Sequence, residues 1–274
     1  MPLWLRTTLR LSAIVFATAL ISIIGLLIVR QVVDYESLKD SSDSLGTFVQ
    51  TLGGIYAVLL AFVVIVVWGQ FNDARTYVDR EANALVDLHR TASGLPSLSR
   101  EIIQTELREY LDAVIHSEWE AMAKQDQVAI DRISARLDHV WTAIHGCMPR
   151  NECQQAMYSE VLTRFNDLTE HRTNRLNTAS AHIPIALNVL LYTGALIMIG
   201  AVYLLAFDRF WLHATVTGLM TGAVAHILFL IRDLDYAFSG DWQVEKSSFV
   251  RARKAFERAA QMHITEPGAN SSAA

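Results

Sequence analysis

Cysteine is nearly absent: the 274-residue chain holds two, Cys147 and Cys153. So few imply no disulfide framework. Enzyme signatures are missing too. There is no GxSxG elbow, no Walker loop, no HExxH and no glycine-rich dinucleotide fingerprint. "HSEWE" sets carboxylates beside a histidine but offers no nucleophile partner and no oxyanion feature. An enzyme is therefore not expected, and no cofactor is implied. Net charge is only −5, so no nucleic-acid partner is indicated. No β-hairpin signal and no internal repeat is present.

What the chain has instead is apolar length. Hydrophobic residues make up 52%, mean hydropathy is +0.25, and the excess lies in runs. Four runs suit a bilayer, each near the ~20 residues that a helix needs to cross it. They are "LSAIVFATALISIIGLLIV" (11–29), the segment 48–68, "IPIALNVLLYTGALIMIGAVYLLAF" (183–207) and "FWLHATVTGLMTGAVAHILFLI" (210–231). The two arginines before the first run imitate a signal peptide. No small-x-small cleavage site lies near 28–33, and the run is too long for such a leader, so a retained span is expected.

About 110 mostly polar residues separate the second and third runs, far more than a connection needs. Their apolar positions recur at helical spacing, as in Ile102, Leu107, Leu111, Val114, Ile115 and Trp119. The expected fold is an all-α integral membrane protein: four transmembrane helices with a helical extramembrane domain inserted between the second and third. Residues 1–69 form a first transmembrane hairpin, 70–182 the inserted domain and 183–231 a second hairpin. Residues 232–264 carry a basic amphipathic helix with Phe249, Ala252, Phe256 and Ala259 on one face, and 265–274 are a disordered tail.

Positive charge orients this plan. One side collects Arg6, Arg10, Arg75, Arg80, Arg172, Arg175, Arg232, Lys246 and Arg251. The other holds Arg30, Lys39 and Arg209. The positive-inside rule places both termini and the inserted domain in the cytoplasm of an inner-membrane, multi-pass protein. Against this, the cysteines of "CMPRNEC" can close a small loop if the domain lies in an oxidising space.

The second span raises the functional question. In "GGIYAVLLAFVVIVVWGQFNDAR" the apolar run turns polar at Gln70 with no proline or turn cluster. One helix is expected to leave the bilayer unbroken. Helical spacing groups Tyr56, Ala57, Leu60, Val64, Val67, Phe71 and Asn72 on one face. Ile55, Leu59, Phe62, Val66 and Gly69, continued by Asp73, form another. A ring of Phe62 and Val66 from several copies can gate by dewetting, with Asn72, Asp73 and Arg80 at its inner end. Lipid contact or packing against neighbouring spans accounts for the same residues equally well.

Other residues carry weaker signals. His226 is a polar group deep in the fourth span, open to a pH-sensing role or to a structural hydrogen bond. Gly218 and Gly222 form a GxxxG pair suited to helix packing. Asp233, Asp235 and Asp241 are weak cation candidates, too few and too widely spaced for a calcium loop. His145, Cys147 and Cys153, with His116 or Glu118, match no standard zinc spacing, so no metal site is assigned. The mixed charges of "DREANALVDLHR" read as a solvated, subunit-packing helix.

The stretch from Tyr56 to Arg90, with "LREYLDAVIHSEWEAM", "HRTNRLNTASAHIP" and "FSGDWQVEKSSF", resembles the bestrophin-like family of bacterial four-pass membrane proteins. Ala237 stands where that family commonly has proline before "FSGD". A more distant resemblance reaches the bestrophins themselves. It implies a homo-oligomeric ion channel, a pentamer, whose second-span helix lines the pore and continues into a helical cytosolic domain. Its partners are then the lipid bilayer, further copies of the chain and inorganic ions. No copy of the bestrophin calcium-binding acidic run is present. For ion choice, the acidic loop at 34–43 and Asp73 favour cations, and Arg75 and Arg80 oppose them. The alternative is a membrane-anchored sensory or scaffolding protein whose helical domain binds a partner, favoured by the C-terminal amphipathic helix.

Overall fold

A computed structural model describes residues 3–265, with side chains for 8–36 and 38–261. The expected disordered tail beyond 265 and the side chain of Arg6 lie outside the described residues. Every regular element among those residues is a helix. Four helices are long and apolar enough to cross a membrane, so the chain is an all-α, multi-pass membrane protein.

The helices are α1 (Leu3–Val32), α2 (Tyr35–Lys39), α3 (Ser42–Thr91), α4 (Ser97–Ala113), α5 (Trp119–Lys124), α6 (Gln127–His145), α7 (Glu152–Ser180), α8 (Ile185–Tyr203), α9 (Phe210–Asp235) and α10 (Ser247–Thr265). A single π-turn, Val114–Glu118, joins α4 to α5. The boundaries have local causes. Asp34, Asp126 and Asn151 cap α2, α6 and α7 by accepting backbone N–H groups with their side chains. Gln125 adopts a left-handed conformation, φ 55°, and stops α5. Pro96 and Pro184 precede α4 and α8, where a fixed φ suits the first turn. In α3 nothing interrupts the ladder for 50 residues.

The chain divides into two compact units. One comprises the described residues up to Gly69, His182–Asp235 and Gly240–Trp242; the other comprises Gln70–Ala181, Tyr236–Ser239 and the residues from Gln243 on.

In the first unit α1 packs along α9 and α8 along α9. Small residues permit close approach: a Cβ added at Gly222 meets Val15 at 3.2 Å, and one at Gly218 meets Ile23 at 3.5 Å. Ser22, Thr221, Tyr203 and Tyr56 are paired across helices in this interior. Thr221 donates to the Ser22 hydroxyl (2.8 Å), and the Tyr203 hydroxyl lies 3.0 Å from it and donates to the Ser22 carbonyl (2.7 Å). Tyr56 on α3 donates to the Leu191 carbonyl on α8 at 2.8 Å.

The third span was expected to run to Phe207, but α8 stops at Tyr203. Its freed carbonyls find partners elsewhere, as helix ends must. His213 Nε2 lies 3.0 Å from the Val202 carbonyl, and Tyr35 donates to that of Tyr203 at 2.5 Å. Beyond the helix, Arg30 donates to the Phe207 carbonyl at 2.7 Å.

The second unit has its own apolar core. Leu85 and Leu88 of α3, Ile103 and Leu107 of α4, Ile144 of α6, Leu168 of α7 and Phe249 of α10 are fully buried in it. Burying each such side chain contributes about 1.5–3 kcal/mol. The amphipathic face of α10 is thus occupied: Phe249, Ala252 and Phe256 belong to this core. This is the helix whose amphipathic face weighed towards a scaffold whose helical domain binds a partner.

Candidate functional site

The α3 helix presents two faces. Tyr56, Leu60, Val63 and Val67, then Ala74 and Val78, are buried against the rest of the chain. Around the rest of the helix Ile55 is 67% exposed and Phe62 61%, and Val58, Ile65, Val66, Gly69, Asn72, Asp73 and Arg80 are exposed as well; Leu59 is half-buried. The packed face was open in the sequence, because Tyr56, Leu60 and Val67 are no more apolar than Ile55, Phe62 and Val66. Asn72, which spacing groups with the packed face, is exposed. Leu60 and Val67 pack inside one chain, and an exposed face of such apolarity requires lipid or another copy beside it.

Behind Asp73 and Arg80, the same helix carries a residue whose surroundings spacing did not reveal. Glu81 has no exposed surface. Its carboxylate accepts from Arg175 Nε at 2.6 Å and Nη2 at 3.1 Å, and from the Tyr110 hydroxyl at 2.5 Å. Arg175 Nη2 also donates to Glu118 at 2.6 Å. The other Glu118 oxygen lies 2.7 Å from Arg172 Nη2. Arg172 then donates to the Tyr110 hydroxyl at 2.8 Å and to Ser134 Oγ at 2.9 Å. Glu81, Arg175, Glu118, Arg172 and Tyr110 thus form a closed ring contributed by α3, α7, the π-turn and α4. Its two acids and two bases cancel. Arg175 also lies over the Trp119 and Phe249 rings at 5.8 and 5.6 Å.

Electrostatics follow from this arrangement. Burial alone raises the Glu118 carboxyl, but Arg175 and Arg172 outweigh it and hold it below the usual carboxylate range. Burial pushes the Tyr110 phenol well above its usual range, and Glu81 adds to the push. Glu118 is therefore ionised at neutral pH between its two arginines, and Tyr110 is a neutral hydrogen-bond donor.

The solvated helix expected at "DREANALVDLHR" is corrected here. Glu81 and His89 are buried, and only the Arg80, Asn83 and Arg90 side is exposed. The signal was available in part: Glu81 is flanked by Val78, Ala82 and Leu85 on the apolar stripe. Its partners lie up to 94 residues away, beyond the reach of helical spacing.

The remaining candidates have particular settings. His226 is exposed. A different histidine, His213, is fully buried and faces Tyr35 and Phe207. Asp233 accepts the backbone N–H groups of Asp241 (3.1 Å) and Trp242 (2.7 Å), closing a turn in which Gly240 has φ 90°. A side chain at Gly240 would meet Asp233 at 2.5 Å. Asp235 accepts from Ile183 N–H at 2.8 Å, and Asp241 faces Arg10 at 3.6 Å. Each of the three carboxylates is thus engaged by the chain itself. Cys147 is buried, Cys153 is exposed, and the two are not bonded. Among the described residues no group of three or more His, Cys, Asp or Glu is arranged to hold a metal ion.

Residues 16–249 match the bestrophin-like domain family. In fold the chain is similar to a bacterial bestrophin homolog from Klebsiella pneumoniae. One variant of that protein matches with a TM-score of 0.67 and 14% identity, over 89% of this chain and 99% of that one. A second variant gives 0.66 and 14%, over 92% and 97%. A structure solved by zinc phasing gives 0.63 and 15%, over 93% and 98%. At such identities the likeness is one of fold. No curated protein matches the chain.

Proposed function

The chain belongs to the bestrophin-like domain family, and we propose that it is a homo-oligomeric ion channel whose second span, within α3, lines the pore. One observation carries this. On α3 the face bearing Ile55, Phe62, Val66, Gly69, Asp73 and Arg80 is left open by the chain, with Asn72 exposed as well, while the face about 100° around the helix, bearing Tyr56, Val63, Val67 and Ala74, is packed. Copies arranged around an axis with the open faces inward give an apolar constriction at Phe62 and Val66. Polar and charged residues follow at its inner end, a plan suited to gating by dewetting. Five copies follow from the bestrophin resemblance. The positive-inside pattern supports a cytoplasmic position for the second unit and both termini, with the protein in the bacterial inner membrane. Asp73 favours cations at the inner end, and Arg75 and Arg80 offset it.

Planar bilayers containing the purified protein test the proposal. Single-channel currents are expected, and Phe62→Ala is expected to change their conductance or open probability. Absence of current across pH and calcium conditions overturns it.

A further inference from the structure

We infer that the buried Glu81–Arg175–Glu118–Arg172–Tyr110 ring is a register device: it fixes the rotation of α3 about its own axis and so positions Asp73 and Arg80. The functional consequence rests on the pore proposal; the positional one does not.

Three observations support it. First, the ring is costly to keep as a source of stability alone. Buried ion pairs are often replaceable by well-packed apolar side chains with no loss, and Leu85 and Leu88 already anchor this face of α3 in the core. What an apolar stripe lacks is discrimination, because one leucine packs nearly as well in its neighbour's place. A two-pronged Arg175–Glu81 contact does not tolerate that change. A slip of one residue turns α3 by about 100°, takes Glu81 away from Arg175 and Tyr110, and leaves Arg175 with Glu118 as its one acidic partner.

Second, Glu81 lies one residue after Arg80 and eight after Asp73, about 80° around the helix from Asp73. Locking Glu81 against Arg175 therefore dictates where Asp73 and Arg80 point.

Third, the backbone of the neighbouring helix is adapted to the ring. In a regular α-helix Glu118 would stand about 80° from Tyr110. The π-turn at Val114–Glu118 absorbs one extra residue and reduces that angle to about 20°. Both side chains then reach the same ring.

Thiol reactivity of the full-length protein in detergent tests this, in a Cys147→Ser, Cys153→Ser background. Asp73 is exposed and Ala74 is fully buried. Asp73→Cys is expected to react at least about tenfold faster than Ala74→Cys. The double replacement Glu81→Met, Arg175→Met removes one acid and one base and leaves Glu118 with Arg172. It is expected to stay folded and to reduce that contrast to about threefold or less. If the contrast stays tenfold in the folded double variant, the inference is wrong. If the double variant does not fold, Arg175→Lys decides: it keeps the charge balance and loses the fork. Contrast reduced in Arg175→Lys supports the register role, and contrast retained overturns it. Bilayer recordings of the wild type are read separately. No current there refutes the pore and leaves the thiol result standing.

Discussion

Arg175→Met is the most informative perturbation of the second unit. Arg175 has no exposed surface and holds Glu81 by two contacts, Glu118 by one and the Met122 sulfur at 2.9 Å. Methionine fills most of the volume, so the loss is electrostatic rather than a cavity. The ring changes from balanced to an excess of one negative charge, with Glu81 left only the Tyr110 hydroxyl. Removing one partner of a buried pair costs about 3–5 kcal/mol, against about 5–15 kcal/mol for a whole domain. At about 2–4 °C per kcal/mol for a unit of this size, the apparent Tm falls by about 6–20 °C. Tyr110→Phe is milder. It removes one hydroxyl shared by Glu81 and Arg172, yet Glu81 keeps Arg175 and Arg172 keeps Ser134 and Glu118. Its cost is about 1.5–3 kcal/mol. Thermal unfolding in detergent, followed by tryptophan emission, measures both, since Trp119 lies against Arg175. A shift under about 3 °C for Arg175→Met, or a larger one for Tyr110→Phe, refutes the energetic account of the ring.

Acid should weaken the same unit. Glu118 has a folded pKa below its unfolded value of about 4.3, because Arg175 and Arg172 outweigh its burial. Its contribution is complete above the unfolded value and is lost as pH falls through the folded one. Apparent Tm should therefore hold steady on this account from pH 7 to about 5 and drop below about 4, and Glu118→Gln should flatten that drop. Gly25→Leu is expected to lower Tm sharply, since a Cβ there meets the Tyr203 hydroxyl at 2.7 Å and displaces it from Ser22. Gly46→Ala, with nothing within 4 Å, is the neutral control. Topology is read at Cys153, which is exposed, rather than at the buried Cys147. A membrane-impermeant thiol reagent should leave Cys153 unlabelled in intact cells, and labelling there would invert the proposed orientation.

The helices were readable because their causes are local. The spans announce themselves by apolar length, and the inserted helices by stripes such as Ile133, Leu137, Val140 and Ile144, all buried in the core. The early end of α8 was not readable, because its freed carbonyls are satisfied by Tyr35 and His213, residues of other elements. The ring was missed for a related reason. Arg172 and Arg175 look like ordinary juxtamembrane positive charges, and Glu118 looks like a weak metal candidate. Only the fold brings them to Glu81, and only a π-turn, which no residue pattern marked, turns Glu118 inward. The two sides of the second span illustrate the limit well. Val63 and Val67 are buried while Ile65 and Val66 are exposed, although all four are β-branched and apolar. The difference lies in what stands beside them.

A side-chain-resolution reconstruction of the purified oligomer tests the central claim most directly. A closed ring of copies, with the second span innermost and Phe62 and Val66 facing the axis above Asp73, is the predicted result. A monomer, a dimer without an axial path, or a ring whose Phe62 and Val66 face lipid would contradict it.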